Sequence, residues 1–501
     1  MNRYQKLKLN TSASLINRVI LIVSGLILPR YILTYFGSNT NGLVSSINQF
    51  LSIITFLDLG VGAVVQSALY KPLANGDREK INATLTSAKN YFRKIAYILV
   101  IYVVLLMFLY PTIINQNVDY ISTIFLIFAI SIGLFAQYYF GIINELLLDA
   151  DQRSYIQFNV ESIVVIVNLI ASIFLIKQGY SIQKVKLVSS IFLVMRPIYL
   201  TYYVGKHYDI DTNVNYEEEP LKQKWNGMAQ HIAYTVQNST DVIILTLFST
   251  LKDVSIYSVY NLVVMGIRLV IASATTNLKS YFGNVLAIET PKMVEKLFSF
   301  MEWLVHNLVI FLYGITTVLI VPFVILYTNG VDDVNYNQPL FGFLLVIANL
   351  SFSLRTPYQS LIFAAGHFKQ TQLSSIIEVI INLVFSSFFV FEYGLIGVAI
   401  GTIFAMFYRT VYLAFYLRKN IIYRPLSHFI KHLLVDAINL ALIVFLGNMT
   451  INYFAVESIM DWVMIALMIT AISGIILLIS NLIFYRNNVY RLLGRLRKNN
   501  L

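Results

Sequence analysis

Long apolar segments alternate with short polar connections along almost the whole chain. Most of these segments run for about twenty residues, the length that a helix needs to cross the hydrocarbon core of a bilayer, whereas a barrel strand needs only about ten. The pattern therefore predicts an all-α polytopic membrane protein with about fourteen transmembrane helices. The predicted spans are residues 11–37, 42–70, 91–113, 120–148, 154–176, 186–205, 226–249, 254–286, 298–328, 338–365, 370–391, 394–417, 430–453 and 460–485.

The composition agrees with a membrane protein. The 501 residues are 57% hydrophobic and 12% charged, whereas soluble domains contain about 25% charged residues. The chain has no cysteine, which excludes disulfides and thiolate metal or redox sites. No other metal-ligand spacing is present, so we expect no bound metal and no cofactor.

Basic residues mark one side of the predicted helices. Lysine and arginine concentrate in alternate connections, beginning with the loop 71–94, and in the tail 486–498, whereas the loops 111–120 and 329–338 contain neither. By the positive-inside rule, both termini are cytoplasmic and the protein is a multi-pass protein of the cell (cytoplasmic) membrane. The net charge of +11 reflects these loops, so we expect no nucleic-acid partner.

The two halves of the chain are related by a faint internal repeat with an offset near 213 residues. Two copies of six helices enter the membrane from the same side, and such parallel repeats hold a substrate site at their interface. We predict two parallel six-helix lobes, residues 1–206 and 225–419, joined by a cytoplasmic linker, residues 207–224. Two extra helices and a basic tail occupy residues 420–501. The best match aligns Arg196, Tyr199, Leu200, Tyr203 and Lys206 with Arg409, Tyr412, Leu413, Tyr416 and Lys419.

The stretch 255–283 carries charge although it is apolar enough to cross a bilayer. At about 100° per residue, one edge of a continuous helix would hold polar residues within roughly 40° of one another. Charges on a membrane helix are costly unless they face water or an ion inside the protein. We expect the stripe to line a substrate cavity; the alternative is a snorkelling Lys279 and an Arg268 paired with a carboxylate. The stripe comprises Tyr257, Asn261, Arg268, Thr275 and Lys279.

Further cations lie in the first and tenth predicted spans. The first span is too long for a cleaved signal and holds two arginines, of which Arg30 could instead snorkel to the membrane surface. The tenth span carries Arg355, and Pro357 is predicted to kink it. Arginine can bind phosphate or carboxylate groups through two hydrogen bonds. The predicted substrate-binding residues are Arg18, Arg30, Asn261, Arg268, Lys279 and Arg355.

Carboxylates inside the predicted spans are candidates for coupling transport to a cation. Membrane-embedded acids commonly carry a proton or sodium ion, although each could equally form a structural ion pair. The predicted ion-coupling residues are Asp58, Asp241 and Glu378. The neighbouring Gly60 and Gly62 lack the strand-turn-helix context of a nucleotide loop, and we expect them to allow close helix packing.

Three runs of sequence resemble a known family. They are Phe56-Leu57-Asp58-Leu59-Gly60, Asn238-Ser239-Thr240-Asp241, and Ala365-Gly366 with Phe368-Lys369, Glu378, Asn382 and the run 394–402. Together they are similar to the polysaccharide-biosynthesis (Wzx-type) flippases for lipid-linked oligosaccharides. These belong to the multidrug/oligosaccharidyl-lipid/polysaccharide exporter superfamily.

The resemblance implies a function. Such flippases move an undecaprenyl-pyrophosphate-linked glycan across the cytoplasmic membrane by alternating access through a cationic cavity, for capsule, exopolysaccharide or O-antigen assembly. In the lipid II branch, arginines of the first and eighth helices line the cavity, and Arg18 and Arg268 occupy matching places by helix count. The implied partners are the lipid-linked glycan, membrane lipids and, as further candidates, a polysaccharide polymerase and glycosyltransferases. We expect cation coupling and no enzymatic activity.

Two other functions remain open. A multidrug or cation efflux transporter would need an acidic, apolar cavity, which the cations of spans 1, 8 and 10 oppose. A membrane polysaccharide polymerase would need a sizeable external loop or a carboxylate-metal site, and the predicted external loops have about ten residues or fewer.

Overall fold

The computed structural model describes residues 3–58, 60–114, 118–212, 214–216, 220, 228–454 and 456–499. All regular structure in this part of the chain is helical. The chain divides into two compact units, Met1–Ser255 and Ile256–Leu501.

The first unit contains eight α-helices within the described residues, together with a 3-10 turn at Ile53–Asp58 and a π-helical turn at Gln137–Gly141. The helices are α1 (Arg3–Ser52), α2 (Val61–Asn75), α3 (Arg78–Ile113), α4 (Tyr120–Ala136), α5 (Ile142–Ala150), α6 (Ser154–Lys177), α7 (Ile182–His207) and α8 (Met228–Phe248).

The second unit contains most of α9, which crosses the boundary between the units, and eight further described helices. A π-helical turn at Arg418–Ile422 extends α14. The helices are α9 (Leu251–Thr275), α10 (Leu278–Ile288), α11 (Pro291–Tyr327), α12 (Pro339–Leu354), α13 (Thr356–Ala364), α14 (Gln372–Leu417), α15 (Leu426–Tyr453), α16 (Ile459–Phe484) and α17 (Arg486–Asn499).

Short side-chain caps fix where several helices begin. Asp77 accepts a hydrogen bond from the backbone N–H of Lys80, and Asp119 accepts one from Ser122, so each satisfies a free N–H at a helix start. Hydrogen bonds from the Lys80 side chain and backbone lower the pKa of Asp77, and bonds from Ser122 lower that of Asp119. Ser458 and Asp461 form a reciprocal capping box at the start of α16.

The helices are apolar on their exposed faces as well as on their buried ones. On α3, one set of side chains is buried in the unit, and an interleaved apolar set is at least 45% exposed. A helix that is apolar all round suits burial in protein on one side and contact with lipid on the other. The buried set is Ile95, Leu99, Val103 and Leu106, and the exposed set is Ile98, Ile101, Leu105 and Phe108.

Eleven helices in the described part of the chain are long and apolar enough to cross a membrane. Two of them, Gln5–Asp58 and Gln372–Ile422, contain a non-helical glycine, Gly37 or Gly394, at the junction of two predicted spans. A shorter apolar helix, Ser239–Phe248, falls within the seventh predicted span. These three places account for the difference from fourteen, and the higher number stays a prediction.

The helix α14 is a hairpin that reverses at Gly394. This residue has φ 52° and ψ −124°, a backbone conformation that favours glycine. Contacts between the limbs run antiparallel: Arg409 donates to the carbonyl oxygen of Thr371, and Asn382 donates to Thr402 at 3.0 Å. Nearer the turn, Ser386 donates to the carbonyl oxygen of Val398. The reversal lies at the predicted junction between the eleventh and twelfth spans.

Two other predicted spans are interrupted. The predicted kink near Pro357 is confirmed, because α12 ends at Leu354 and α13 begins at Thr356. At Gly60 the backbone is left-handed, with φ 73°, and a Cβ there would meet no atom within 4 Å. The expectation of close packing was therefore wrong for Gly60, whose role is conformational, but it holds for Gly62, where a Cβ would lie 3.3 Å from Leu146.

The helix α8 packs in the first unit. Thr246 and Ser239 of α8 lie within hydrogen-bonding distance of Ser46 and Ser52 of α1, at 2.7 Å and 3.3 Å between hydroxyl oxygens. The predicted lobes placed this segment with the second half, and their boundaries stay a prediction. Residues 213, 217–219 and 221–224 of the predicted linker lie outside the described residues.

The contact between the limbs of α14 can be tested with Gly401. A Cβ at this position would collide with the backbone and hydroxyl of Ser386. We expect Gly401→Ala to lower the free energy of unfolding by about 1–3 kcal/mol, because overpacking forces backbone shifts. The measurement is the temperature at which the detergent-solubilised protein loses its monodisperse peak in size-exclusion chromatography.

The matched control is Gly474→Ala in α16, where a Cβ would meet no atom within 4 Å. It should leave the melting temperature unchanged or raise it, because alanine favours a helix over glycine by about 0.5–1 kcal/mol. Equal stability of the two variants would contradict the close approach of the limbs.

Candidate functional site

The predicted polar stripe is only partly realised. Asn261 and Arg268 lie on one face of α9, and Arg268 is buried with 9% exposure. The helix ends at Thr275, so Lys279 belongs to α10 and does not extend the stripe. Its placement on the stripe was therefore wrong, because the prediction assumed one continuous helix. Lys279 is exposed and lies over the ring of Phe368, with 4.9 Å from Nζ to the ring centroid.

Two buried guanidinium groups share one aromatic ring. The Cζ atom of Arg268 lies 3.5 Å from the ring centroid of Phe352, and that of Arg355 lies 4.1 Å from it. Cations stacked on aromatic rings gain up to about 2 kcal/mol when they are removed from water. The ring of Phe352 therefore contacts both cations, Arg268 from α9 and Arg355 from the junction of α12 and α13.

Arg355 is also held by a buried carboxylate. Its Nη1 atom lies 2.5 Å from Oε1 of Glu378, and Nε of Arg409 lies 3.7 Å from the other carboxylate oxygen. Arg409 also donates to Ser374 and to the carbonyl oxygen of Thr371. Arg268, Phe352, Arg355, Glu378 and Arg409 form what we call the arginine cluster. Its three guanidinium groups outnumber its one carboxylate.

The first unit contains a related cluster with the opposite excess. Arg196 on α7 lies 2.8 Å from Glu145 and 3.1 Å from Glu161. Gln137, in the π-helical turn, donates to the second oxygen of Glu145 at 3.0 Å. We call Arg196, Glu145 and Glu161 the acidic counterpart. Its two carboxylates outnumber its one guanidinium group, and Arg196 is more exposed than Arg409, at 21% against 3% of the side chain.

The contacts inside the two clusters support the internal repeat. Arg196 and its repeat partner Arg409 each contact a glutamate on the preceding span of their own unit, Glu161 or Glu378. One turn further along, the matching tyrosines stack in the same way. The ring centroids are 6.4 Å apart for Tyr199 and Tyr203 and 6.2 Å apart for Tyr412 and Tyr416. The two clusters differ in their third charged residue. It is Glu145 in the first unit and Arg355 in the second.

The predicted cations of the first unit lie on α1. Asn17 is buried and donates to Ser162 and to the carbonyl oxygen of Phe158, which orients the helix against α6. Arg18 follows it on an exposed face. Arg30, next to Pro29, is half-buried. Neither arginine is part of the acidic counterpart.

The predicted coupling carboxylates occupy different settings. Asp58 is half-buried at the end of the 3-10 turn, where the hydroxyl of Tyr91 donates to the carbonyl oxygen of Leu57 at 2.6 Å. Interrupted helices are common at ion sites in transporters. Asp241 is buried in α8 with 4% exposure, while the side chain of Asn238 lies outside the described residues. Glu378 is the ion-pair partner of Arg355.

An open pocket of 780 Å³ lies at the basic end of α14. Its walls combine aromatic rings with cations, a mixture that suits sugar faces and phosphate groups. The pocket is lined by Tyr412, Phe415, Tyr416, Arg418, Lys419, Asn420 and Tyr423.

The structure thus brings together Arg268, Arg355 and Glu378 from the predicted set. Sequence reasoning missed Phe352, one of 34 phenylalanines with nothing local to distinguish it. It also left Arg409 out of the site, although the repeat had already aligned this residue with Arg196.

No protein-family model matches the chain, and no curated protein sequence matches it. Solved structures do match. A structure of the lipid II flippase MurJ in an inward closed conformation is 16% identical, with a TM-score of 0.68, over 96% of this chain and 99% of the flippase. An inward-facing multidrug resistance MATE transporter of the MOP superfamily is 13% identical, with a TM-score of 0.65, over 81% and 98%. A point mutant of the Vibrio cholerae MATE transporter VcmN is 14% identical, with a TM-score of 0.58, over 84% and 98%.

The chain therefore has the fold of these transporter structures. Together with the eleven apolar helices, this fold makes it a multi-pass membrane protein.

Glu378→Gln tests whether this carboxylate neutralises the arginine cluster. Its loss leaves Arg355 and Arg409 buried without their counter-charge, which should cost about 3–5 kcal/mol of stability. The measurement is thermal unfolding of the purified protein in detergent. Glu161→Gln is the matched control. It should cost clearly less, because Arg196 keeps Glu145 and is partly exposed. Equal losses in both variants would contradict a special role for Glu378.

Proposed function

We propose that this protein is a flippase that moves polyprenyl-pyrophosphate-linked oligosaccharide repeat units across the cytoplasmic membrane. The observation that carries the proposal is the arginine cluster, in which buried guanidinium groups exceed carboxylates. A transported pyrophosphate needs positive charge in the membrane, because an isolated anion in an apolar medium is very costly.

The guanidinium group suits this task. It stays charged inside a protein and offers several N–H donors in one plane, which match two oxygens of a phosphate. Within the cluster, Arg355 and Arg409 contact Glu378, whereas Arg268 stacks on the face of Phe352. We assign to Arg268, which lies on one face of α9 with Asn261, the central role in attracting the pyrophosphate.

The extent of the structural likeness supports this choice over drug efflux. The lipid II flippase structure aligns with 96% of the chain, whereas the multidrug transporter structures align with 81% and 84%. The pocket at the end of α14 adds aromatic and basic side chains that suit a sugar-phosphate head group.

Cation efflux is the second candidate. It is favoured by the likeness to the multidrug transporters and by the acidic counterpart, whose two carboxylates exceed its single guanidinium group. A cationic drug would seek such an excess of negative charge. The two candidates therefore differ in which cluster should be essential for transport.

We also propose an orientation, a carried molecule and partners for the transporter. We place both termini in the cytoplasm, because the basic connections and the tail share one side. The carried molecule is an undecaprenyl-pyrophosphate-linked glycan, and a polysaccharide polymerase and glycosyltransferases are candidate partners. Transport is by alternating access and is coupled to a cation.

The decisive experiment is deletion of the gene followed by analysis of lipid-linked glycan intermediates. We expect them to accumulate on the inner leaflet and to be cleared when the wild-type protein is restored. Arg268→Ala should reduce clearance about 10–100-fold, because a hydrogen bond to a charged group contributes about 1.5–3 kcal/mol. Arg93→Ala is the matched control, since Arg93 also stacks on a ring, that of Tyr139 at 4.6 Å, outside the cluster. Full clearance by Arg268→Ala would refute the role of the cluster.

Cation coupling predicts a change in ion dependence when a coupling carboxylate is neutralised. Asp58→Asn or Asp241→Asn should alter how clearance of the intermediates varies with external pH or sodium concentration, because the amide cannot exchange a proton or balance a sodium ion. The measurement is the rate of clearance across a series of pH values and sodium concentrations. Unchanged profiles in both variants would remove these two residues from the coupling mechanism.

A further inference from the structure

A second buried polar cluster lies in the second unit, where α11 meets α13 and α15. Its centre is Glu302, whose side chain has 0% exposure. Arg424, in the segment before α15, donates to both oxygens of this carboxylate, at 2.6 Å and 2.7 Å. The hydroxyl of Tyr358 on α13 donates to the same carboxylate. The negative charge of Glu302 is thus compensated by the guanidinium group of Arg424.

Two histidines flank this carboxylate. His306, one turn along α11, places Nδ1 at 2.6 Å from Oδ2 of Asp436 on α15. His432 places Nε2 at 3.4 Å from Glu302, and its Nδ1 atom is 3.0 Å from the hydroxyl of Tyr485. The two imidazole rings are 5.0 Å apart between centroids, and His306 is 1% exposed. We call these residues, with Arg424 and Tyr358, the histidine cluster.

The charges of the histidine cluster do not balance while both imidazoles are neutral. It contains two carboxylates and one guanidinium group, which leaves one negative charge without compensation. Burial alone would lower the pKa of Arg424, but the carboxylate of Glu302 outweighs this and raises it, so the guanidinium stays charged. A buried excess charge is costly, and binding one proton would remove it.

His306 is the group best placed to accept that proton. The 2.6 Å separation between its Nδ1 and Asp436 requires one hydrogen between the two atoms. Its other nitrogen, Nε2, is buried and has no hydrogen-bond partner among the described residues. By contrast, both nitrogens of His432 face a partner. Protonation of Nε2 would convert His306 into an imidazolium ion that faces Asp436 directly.

We propose that the histidine cluster is a proton-binding site, in which His306 takes up one proton at Nε2 and the bound proton strengthens the attachment of the α15–α16 hairpin to α11. Histidine is the side chain whose charge normally changes between about pH 5 and 8. The proton turns a hydrogen bond between α11 and α15 into an ion pair. The hairpin therefore packs more firmly on α11 as the pH falls.

The surrounding groups do not supply the missing compensation. Lys431 on α15 is exposed and donates to the carbonyl oxygen of Phe484, and Arg491 on α17 lies over the ring of Phe300. The titratable and charged groups that face the site are Glu295 and Glu302 on α11, Tyr358 on α13, Arg424 before α15, Lys431, His432 and Asp436 on α15, and Tyr485 after α16.

The tryptophans provide a direct readout of this attachment. Trp303 of α11 donates to Asn481 of α16 at 2.6 Å, and Trp462 of α16 donates to the carbonyl oxygen of Leu319 of α11 at 3.3 Å. The chain has three tryptophans, and the third, Trp225, lies outside the described residues. In a Trp225→Phe background, intrinsic fluorescence therefore reports on the contact between α11 and α16.

The experiment is a fluorescence titration of the full-length Trp225→Phe protein in lipid nanodiscs from pH 5 to 8.5. We expect one transition with a midpoint between about pH 5 and 8. His306→Asn keeps a donor to Asp436 but cannot take up the proton, and it should abolish the transition. Asp436→Asn removes the facing charge and should lower the midpoint by about 1–3 pH units.

His367→Asn is the matched control, because His367 also lies in the second unit and bonds to a tyrosine, Tyr416, at 2.9 Å. It should leave the transition in place. The inference is overturned if the parent protein shows no transition, if His306→Asn retains it, or if His367→Asn abolishes it equally. Should His306→Asn fail to fold, the parent titration and the shift in Asp436→Asn decide the question. No transported substrate is needed, so the outcome does not depend on the proposed function.

Discussion

A guanidinium group cannot lie within a helical membrane bundle unless something replaces the water that it leaves. The second unit uses two replacements side by side. Glu378 supplies a counter-charge to Arg355, and Phe352 supplies a ring face to Arg355 and Arg268. A carboxylate neutralises the charge of the guanidinium group, whereas a ring face stabilises the cation without neutralising it. Among the residues of the arginine cluster, guanidinium groups therefore outnumber carboxylates.

The same helix geometry carries the opposite excess in the first unit. Arg196 and Arg409 are aligned by the predicted repeat, and each contacts a glutamate on the preceding span. What changes is the third member, a glutamate in one unit and an arginine in the other. Two helical units can thus form similar contacts while the sign of their buried charge differs. Buried networks of this type hold helices together whichever charge is in excess, provided that each ion has a partner.

Much of the fold could be predicted from the pattern of apolar segments, because a bilayer fixes the length of a helix. The interruption near Pro357 and the reversal at Gly394 also carry local signals. The end of α9 at Thr275 does not: the residues that follow it directly contain neither glycine nor proline, so a continuous helical wheel misplaced Lys279. The histidine cluster was invisible for a different reason. Glu302 and Asp436 are far apart in sequence, and only the packing of α15 on α11 brings them together.

The single-residue reversal at Gly394 has a mechanical consequence. Its two limbs are joined by hydrogen bonds from Thr371 and Arg409 at one end to Ser386 and Val398 near the turn. With no slack in the connection, neither limb can slide along the other without breaking this ladder. Any rearrangement that displaces Glu378 on one limb must also displace Arg409 on the other. The two limbs therefore move together as one rigid body.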